Sequence, residues 1–125
     1  MNAKVLVVDD ESTTRRLVSY ALQTIHVEVV GAEDGTQALE IAQEEGHNWG
    51  MALLDINLPD MDGFQVLAHF KAMPQMQEVP IIIFTARNHP GDENAALEAG
   101  AAGFLYKPFS TQELRALVTR HLGRE

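Results

Sequence analysis

The chain has 125 residues, of which 46% are hydrophobic and 22% charged, enough for one domain over 1–125 with a buried core. It contains no cysteine, which excludes disulfides, thiolate nucleophiles and cysteine-based zinc sites. Its formal net charge of -9 argues against direct binding to nucleic acid. No apolar run approaches the ~20 residues that cross a bilayer, and the first residues lead straight into a strand. We therefore expect no membrane segment and a cytoplasmic location.

Short apolar runs alternate along the chain with segments of helical period. Such runs are typical of strands that are buried on both faces of a parallel sheet. The helical segments repeat apolar residues three and four positions apart, and the last of them opens with a capping box from Ser110 to Glu113. The predicted strands are 5–8, 27–30, 51–54, 81–84 and 104–106, and the predicted helices are 12–26, 35–45, 63–73, 92–99 and one that starts at Ser110.

This alternation predicts βαβ units with right-handed crossovers. The strand at 27–30 carries no reactive group at its end, which favours an edge position beside the first strand. The predicted fold is therefore a flavodoxin-like, doubly wound (βα)5 domain of the α/β class. Its five-stranded parallel sheet has the strand order 2-1-3-4-5, and ligands of such sheets bind at the switch point between the first and third strands.

Four predicted strands end on reactive polar side chains: Asp9 with Asp10, then Asp55, Thr85 and Lys107. Taken singly each is ordinary, because acidic pairs form turns and caps, threonine favours strands and most lysines are solvated. The carboxyl ends of parallel strands share one edge, so we expect these groups to converge. Oxygen ligands of this kind suit Mg²⁺ better than zinc. Lys107 precedes Pro108, and a cis bond there would turn the lysine inward.

A hydroxyl and an ammonium opposite a metal-bound carboxylate suit a phosphoryl group. Asp55 lies on the central strand, between the acidic pair and Thr85. It is therefore the best candidate for a nucleophile that forms an acyl phosphate, with Mg²⁺ as template and Lewis acid.

Four motifs, in this order, resemble those of the receiver domain of two-component response regulators, of the chemotaxis-receiver type. Each is weak alone, but together they are highly specific and span essentially the whole chain as a single receiver domain. They are Val7-Val8-Asp9-Asp10-Glu11, then Leu54-Asp55-Ile56-Asn57-Leu58-Pro59-Asp60-Met61-Asp62-Gly63, then Phe84-Thr85-Ala86, and finally Lys107-Pro108-Phe109.

The resemblance implies a role for the residues that bind metal and accept phosphate. Asp55 would be the phosphoacceptor, fed by a phosphohistidine on a sensor histidine kinase or a histidine phosphotransfer protein. Asp10, Asp55 and the backbone carbonyl of Asn57 would be Mg²⁺ ligands, with Asp9 helping through water.

It also implies which residues bind the phosphoryl group and transmit its arrival. Thr85, Lys107 and the backbone N–H of Ala86 would contact the phosphate. The Thr85 hydroxyl would move toward it, and Phe104, at the switch-aromatic position, would fill the space left behind. The surface of the fourth helix, fifth strand and fifth helix would then change shape.

Two positions are expected to tune how long the phosphate lasts. Asn57 and Arg87 lie two residues after the acceptor and after the threonine, and we expect Arg87 to affect water access to the acyl phosphate.

In the helix at 92–99 the only large apolar residue is Leu97, so we expect it to anchor a loosely docked helix; close packing of an alanine-rich helix is an equal alternative. Trp49 is expected to pack ~20 Å from the site.

The preferred function is a phosphorylation-dependent switch that regulates a downstream protein or output domain. We expect no enzyme activity beyond the chain's own phosphotransfer and dephosphorylation, no nucleic-acid or membrane partner, and a possible dimer after phosphorylation. One alternative is a Mg²⁺-dependent phosphatase with an aspartate nucleophile, but Asn57 stands where such enzymes carry a second acid. The other is a phosphate-independent interaction module on the same fold.

Overall fold

Five strands and five α-helices alternate within the residues that the computed structural model describes, 3–87 and 89–122. The sheet is parallel throughout and has the order β2-β1-β3-β4-β5, which confirms the predicted topology. The elements are β1 Lys4–Val8, α1 Ser12–Gln23, β2 Glu28–Ala32, α2 Gly35–Gln43, β3 Trp49–Leu54, α3 Gly63–Ala72, a 3-10 turn Pro74–Met76, β4 Ile81–Thr85, α4 Asp92–Glu98, β5 Gly103–Tyr106 and α5 Thr111–Leu122.

The hydrophobic core lies in two layers, one on each face of the sheet. One layer packs α1 and α5 against the sheet, with Val18 and Val118 fully buried. The other covers the opposite face with α2, α3 and α4, and Phe70 is fully buried in it. The residues of β3 and β4 are almost all buried, because these strands have neighbours on both sides and helices above and below.

Local sequence sets the starts of the helices near the predicted positions. In α3, Asp62 and Gln65 form a capping box, and in α5 the predicted box is present, with Ser110 and Glu113 exchanging hydrogen bonds of 2.9 and 3.0 Å. Gly63 is required by close approach, since a Cβ there would lie 2.5 Å from the backbone oxygen of Asp55. The sequence thus brings the start of α3 directly against the end of β3.

Several predictions on packing are corrected by the structure. The second strand is shifted to Glu28–Ala32, and α1 ends at Gln23 instead of reaching residue 26. Leu97 was expected to anchor the fourth helix, but 45% of its surface is exposed and Ala96 is the apolar residue that α4 buries. The helical period of 12–26 places Leu17 on the same apolar face as Val18, but Leu17 is 40% exposed whereas Val18 is fully buried.

Across residues 3–87 and 89–122, the structure contains no helix with the length and apolar character needed to cross a membrane.

Candidate functional site

The reactive strand ends meet at the carboxyl edge of the sheet, as the sequence predicts. Backbone hydrogen bonds of the ladder continue one residue past the strands and fix three of these residues. Asp9 N–H donates to the carbonyl of Ala32, Asp55 N–H to that of Val8, and Lys107 N–H to that of Thr85, over 2.9 to 3.1 Å. The backbone positions of the site are therefore part of the sheet itself.

Lys107 lies between two carboxylates. Its Nζ donates to Asp9 Oδ2 at 2.5 Å and to Asp55 Oδ2 at 2.9 Å, and it lies 4.9 Å from the centre of the Phe84 ring. Burial lowers the pKa of Lys107, but the hydrogen bonds to the two aspartates outweigh it and hold the pKa above its ordinary value. The lysine is therefore a fixed positive charge, and its peptide bond to Pro108 is cis, the isomer considered from the sequence as a way to turn the lysine inward.

Asp9 and Asp55 are buried, whereas Asp10 is exposed. Asp9 Oδ1 accepts from the N–H of Glu11 at 2.9 Å, and Asp55 Oδ1 accepts from the N–H of Asn57 at 3.0 Å. Burial raises the pKa of Asp9, and the hydrogen bonds from Lys107 and Glu11 oppose that rise. One ammonium shared by two buried carboxylates leaves the site short of positive charge.

This donor set fits a divalent cation. Asp9, Asp10 and Asp55 each offer a carboxylate oxygen, and the three oxygens lie within 4.8 Å of one another. Hard oxygen donors that leave room for water are the ligands that Mg²⁺ prefers. The exposed position of Asp10 leaves one side of the cluster open to solvent.

An open cleft of about 380 Å³ lies over the cluster. Thr85 is fully buried below it, and its Oγ1 accepts from the N–H of Arg87 at 3.1 Å. The side chains and backbone that line the cleft are those of Asp10, Glu11, Asp55, Asn57, Leu58, Pro59, Thr85, Ala86 and Lys107. All the residues expected to contact phosphate therefore face one space that is large enough for a phosphoryl group.

Arg87 is turned toward α4. Its Nε and Nη2 donate to the two carboxylate oxygens of Asp92 at 3.0 and 3.2 Å. The hydrogen bonds to Asp92 raise the pKa of Arg87, and the same pair lowers the pKa of Asp92. The sequence predicted no partner for Arg87, whereas in the structure it pairs with an aspartate five residues along the chain.

Phe104 lies on β5, opposite Ile83 of β4. Side chains two apart on a strand share a face, so Phe104, Ile83 and Thr85 point to the same side of the sheet. Phe104 is half-buried against the core layer of α2, α3 and α4, and its ring lies 4.9 Å from that of Tyr106. Phe104, which is predicted to move, thus lies on the same face of the sheet as Thr85, which is predicted to respond to phosphate.

Sequence reasoning missed two groups around the cleft. Arg15, on α1, donates from Nη1 to the backbone oxygen of Asp9 at 2.6 Å. Asp60, in the loop after β3, accepts three hydrogen bonds from Gly35 and Thr36 at the start of α2. Gly35 and Thr36 lie 25 and 24 positions before Asp60, and no sequence pattern predicts a contact over such a separation.

Comparison with known proteins gives one consistent family. Residues 5–119 match the model of the response regulator receiver domain family. Over 124 residues the chain is 37% identical to the alkaline phosphatase synthesis transcriptional regulatory protein PhoP of Bacillus subtilis (strain 168), covering 99% of this chain and 50% of that protein. The chain therefore spans about half the length of the curated relatives it matches.

Solved structures agree with this match. The chemotaxis protein CheY4 of Vibrio cholerae has a TM-score of 0.88 and 34% identity, covering 96% of this chain and 98% of that one. The receiver domain of the sensor histidine kinase PA1611 of Pseudomonas aeruginosa PAO1, solved with a magnesium ion coordinated in its active site cleft, has a TM-score of 0.86 and 29% identity, covering 98% and 99%.

Proposed function

This chain belongs to the response regulator receiver domain family of two-component systems and is a phosphoacceptor signalling switch; from that premise we propose that Asp55 is the residue that accepts the phosphoryl group. The observation that carries the proposal is the contact of Lys107 Nζ with both Asp55 and Asp9 beneath the open cleft. Nothing in the structure or the comparisons favours a phosphatase or a phosphate-independent module.

In the proposed transfer, a carboxylate oxygen of Asp55 attacks the phosphorus of a phosphohistidine. The new O–P bond forms as the P–N bond to the histidine breaks, and the imidazole leaves with the electron pair. Lys107, which lies 2.9 Å from Asp55 Oδ2, stabilises the negative charge that collects on the phosphoryl oxygens. Ala86 and Thr85 line the same cleft, and the backbone N–H of Ala86 and the hydroxyl of Thr85 would hold two further oxygens.

Receiver domains bind Mg²⁺ at an acidic site, and the carboxylates here fit such an ion. We propose Asp10, Asp55 and the backbone carbonyl of Asn57 as its ligands, with Asp9 contributing through water. Mg²⁺ would neutralise negative charge on the acceptor and on the phosphoryl group. Asp9 is better placed to pair with Lys107 than to bind the ion directly, because it is fully buried and its carboxylate accepts a hydrogen bond from the Lys107 ammonium.

The proposed switch couples Thr85 to Phe104. A hydroxyl can donate to a phosphoryl oxygen while it accepts from another group, so Thr85 can respond to phosphate and still accept from the N–H of Arg87. Movement of its side chain would leave space on the face that Phe104 shares. The surface formed by α4, β5 and α5 would then present a different shape to a partner.

Asn57 and Arg87 are proposed to tune the lifetime of the phosphate. Asn57 lines the cleft and is exposed, so its side chain can reach water that approaches the acyl phosphate. Arg87 would act from the rim, in a position that its ion pair with Asp92 fixes.

The partners follow from the family and stay proposals for this chain. They are a sensor histidine kinase or a histidine phosphotransfer protein as donor, and a downstream protein or output domain as receiver of the signal. A dimer that forms after phosphorylation, a cytoplasmic location, the absence of direct nucleic-acid binding and the absence of catalysis beyond the chain's own phosphotransfer and dephosphorylation are predictions from the sequence.

The test is to incubate the protein with a small phosphodonor and Mg²⁺ and to weigh the intact chain. Retention of one phosphoryl group, with none in Asp55→Asn, is the expected result. Steady release of phosphate without a retained group would support the phosphatase, and absence of any adduct would support the interaction module.

A further inference from the structure

One carboxylate ties the loop after β3, residues 57–62, to the start of α2. Asp60 Oδ1 accepts from the N–H of Gly35 at 2.8 Å. Asp60 Oδ2 accepts from the N–H of Thr36 at 2.9 Å and from its hydroxyl at 2.7 Å. The first N–H groups of a helix have no acceptor within the helix, so a side chain from the loop supplies the acceptor that α2 lacks.

The same loop forms one wall of the cleft. Asn57, Leu58 and Pro59 line it, and the loop closes with an isolated antiparallel bridge between Asn57 and Asp62. The bridge holds the chain at Asn57 and Asp62 through the hydrogen bond from Gly63 N–H to the Ile56 carbonyl at 2.8 Å, whereas the Asn57 carbonyl belongs to the peptide bond that leads into the tip. The tip at 58–60 is half-buried or exposed, so its position depends on what holds it from outside.

The contact of the loop with α2 is close. A Cβ on Gly35 would lie 2.6 Å from the sulfur of Met61 in the loop, and 3.0 Å from a methyl group of Val66 on the neighbouring α3. The hydrogen bond from the Thr36 hydroxyl, then that from the Gly35 N–H, lowers the pKa of Asp60 to about 2. The Asp60 carboxylate, which tethers the loop to α2, is therefore negatively charged and lies at the start of a helix, where negative charge is favoured.

We propose that Asp60 is a positioning residue for the metal site: by tethering the loop tip to α2, it fixes the orientation of the backbone carbonyl of Asn57, a residue that lines the cleft. Asp60 is not among the residues that line the cleft, and its carboxylate accepts hydrogen bonds from α2, so it acts through the loop. The inference rests on the proposed function, because the Asn57 carbonyl is a proposed ligand. It concerns metal affinity and loop order, which can be measured without phosphotransfer.

The experiment measures Mg²⁺ binding by titration calorimetry on the metal-free chain, for the wild type and Asp60→Ala. The expected result is affinity weakened by roughly 3- to 10-fold, less than the roughly 10- to 100-fold cost of losing a direct partner of a metal ligand, because Asp60 acts through the loop. Hydrogen exchange in the metal-free chain is expected to be faster at the amides of Asn57 and Leu58 in the variant.

Asp34→Ala is the matched control. Asp34 caps the same helix by accepting from the N–H of Gln37 at 2.8 Å, and it makes no hydrogen bond to the loop. It should lower thermal stability, as loss of a cap does, and leave Mg²⁺ affinity unchanged. If Asp60→Ala behaves like Asp34→Ala, with wild-type affinity, Asp60 is only a helix cap and the inference is wrong.

Thr36→Val is the second variant in case Asp60→Ala does not fold. It removes the hydroxyl donor at 2.7 Å and keeps the backbone donor, so it should weaken Mg²⁺ binding in the same direction by a smaller factor. Wild-type affinity in this variant would contradict the tether. If the wild type itself binds no Mg²⁺, the proposed metal site fails, while unchanged exchange at Asn57 and Leu58 in the variants would reject the tether separately.

Discussion

Replacing Lys107 with methionine tests whether this lysine balances the buried charge of the site. The methionine is close in length and keeps the apolar stem, so the change removes mainly the ammonium that contacts Asp9 and Asp55. The Lys107 side chain is 12% exposed and that of Asp9 is 0% exposed, so water cannot replace the lost contact. Removing one partner of a buried pair costs about 3–5 kcal/mol.

That cost translates into a large change in melting temperature. In a domain of this size, 1 kcal/mol lowers the melting temperature by roughly 4 °C, so Lys107→Met should melt about 12–20 °C below the wild type. The assay is thermal unfolding by circular dichroism at neutral pH in EDTA. Lys71→Met is the control, because Lys71 forms no ion pair among the described residues, and it should change stability by about 0.5 kcal/mol or less.

The pH dependence gives a second check on the same variant. The pKa of Lys107 is raised in the fold, so in the wild type its contribution is complete below its unfolded pKa of 10.5 and is lost as pH rises through the folded value. The pKa of Asp9 is raised too, so its ionised form costs stability above 3.8, and that cost disappears as pH falls through the folded value. Loss of Lys107 should raise the pKa of Asp9 further, so the stability deficit of the variant should shrink on mild acidification.

A melting temperature of Lys107→Met within about 2 °C of the wild type in EDTA would refute the reasoning. A deficit that is constant from neutral to mildly acidic pH would also contradict it, because a packing defect does not titrate. Only a loss that is both large and relieved by acid identifies charge balance as its cause.

Four further outcomes are expected. Arg87→Ala should speed dephosphorylation by about 5-fold, equal to ~1 kcal/mol, by opening the rim to water; an unchanged rate in an intact-mass time course would count against it. Gly63→Ala should lower the free energy of unfolding in urea by about 1–3 kcal/mol, because the new Cβ would lie 2.5 Å from the Asp55 oxygen, and an unchanged midpoint would show that α3 can shift. Amides of 92–98 should exchange faster than those of β4, and equal protection would indicate tight docking. Trp49 emission should barely change on phosphorylation, since the indole lies at the far end of β3, ~20 Å away, and a clear shift would indicate a rearranged sheet.

The residues of the site could be found from sequence because a parallel sheet leaves them little freedom. The carboxyl ends of all strands in a parallel sheet lie at one edge. A short apolar run that ends in Asp55 or Lys107 therefore places that residue at this edge. The strand order followed from the second strand, which is the only one of the predicted five without a reactive end. Periodicity, turn residues and chemistry all agreed, which is why the fold could be derived before any contact was known.

Side-chain pairing could not be derived in this way. The alignment of Arg87 with Asp92 depends on the path of a loop that contains Pro90 and Gly91, and Gly91 has a φ of 87°. The orientation of α4 was also hidden, because a seven-residue helix has too few turns for periodicity to choose between Ala96 and Leu97 as its buried residue. Contacts of this kind depend on loops and short elements, where sequence patterns are weakest.

The charges at the strand ends explain why these residues act together. Asp9, Asp10 and Asp55 bring three negative charges within 4.8 Å, and Lys107 returns one positive charge. A phosphoryl donor carries negative charge too, so the cleft repels its substrate until a further cation is present. Without a bound metal ion, Lys107 is the residue that offsets the negative charge of the three aspartates. Its removal should therefore destabilise the fold more than removal of any single aspartate. Removal of Asp9 or Asp55 relieves repulsion while it breaks a contact, so the two effects oppose each other. Removal of Lys107 only adds to the repulsion.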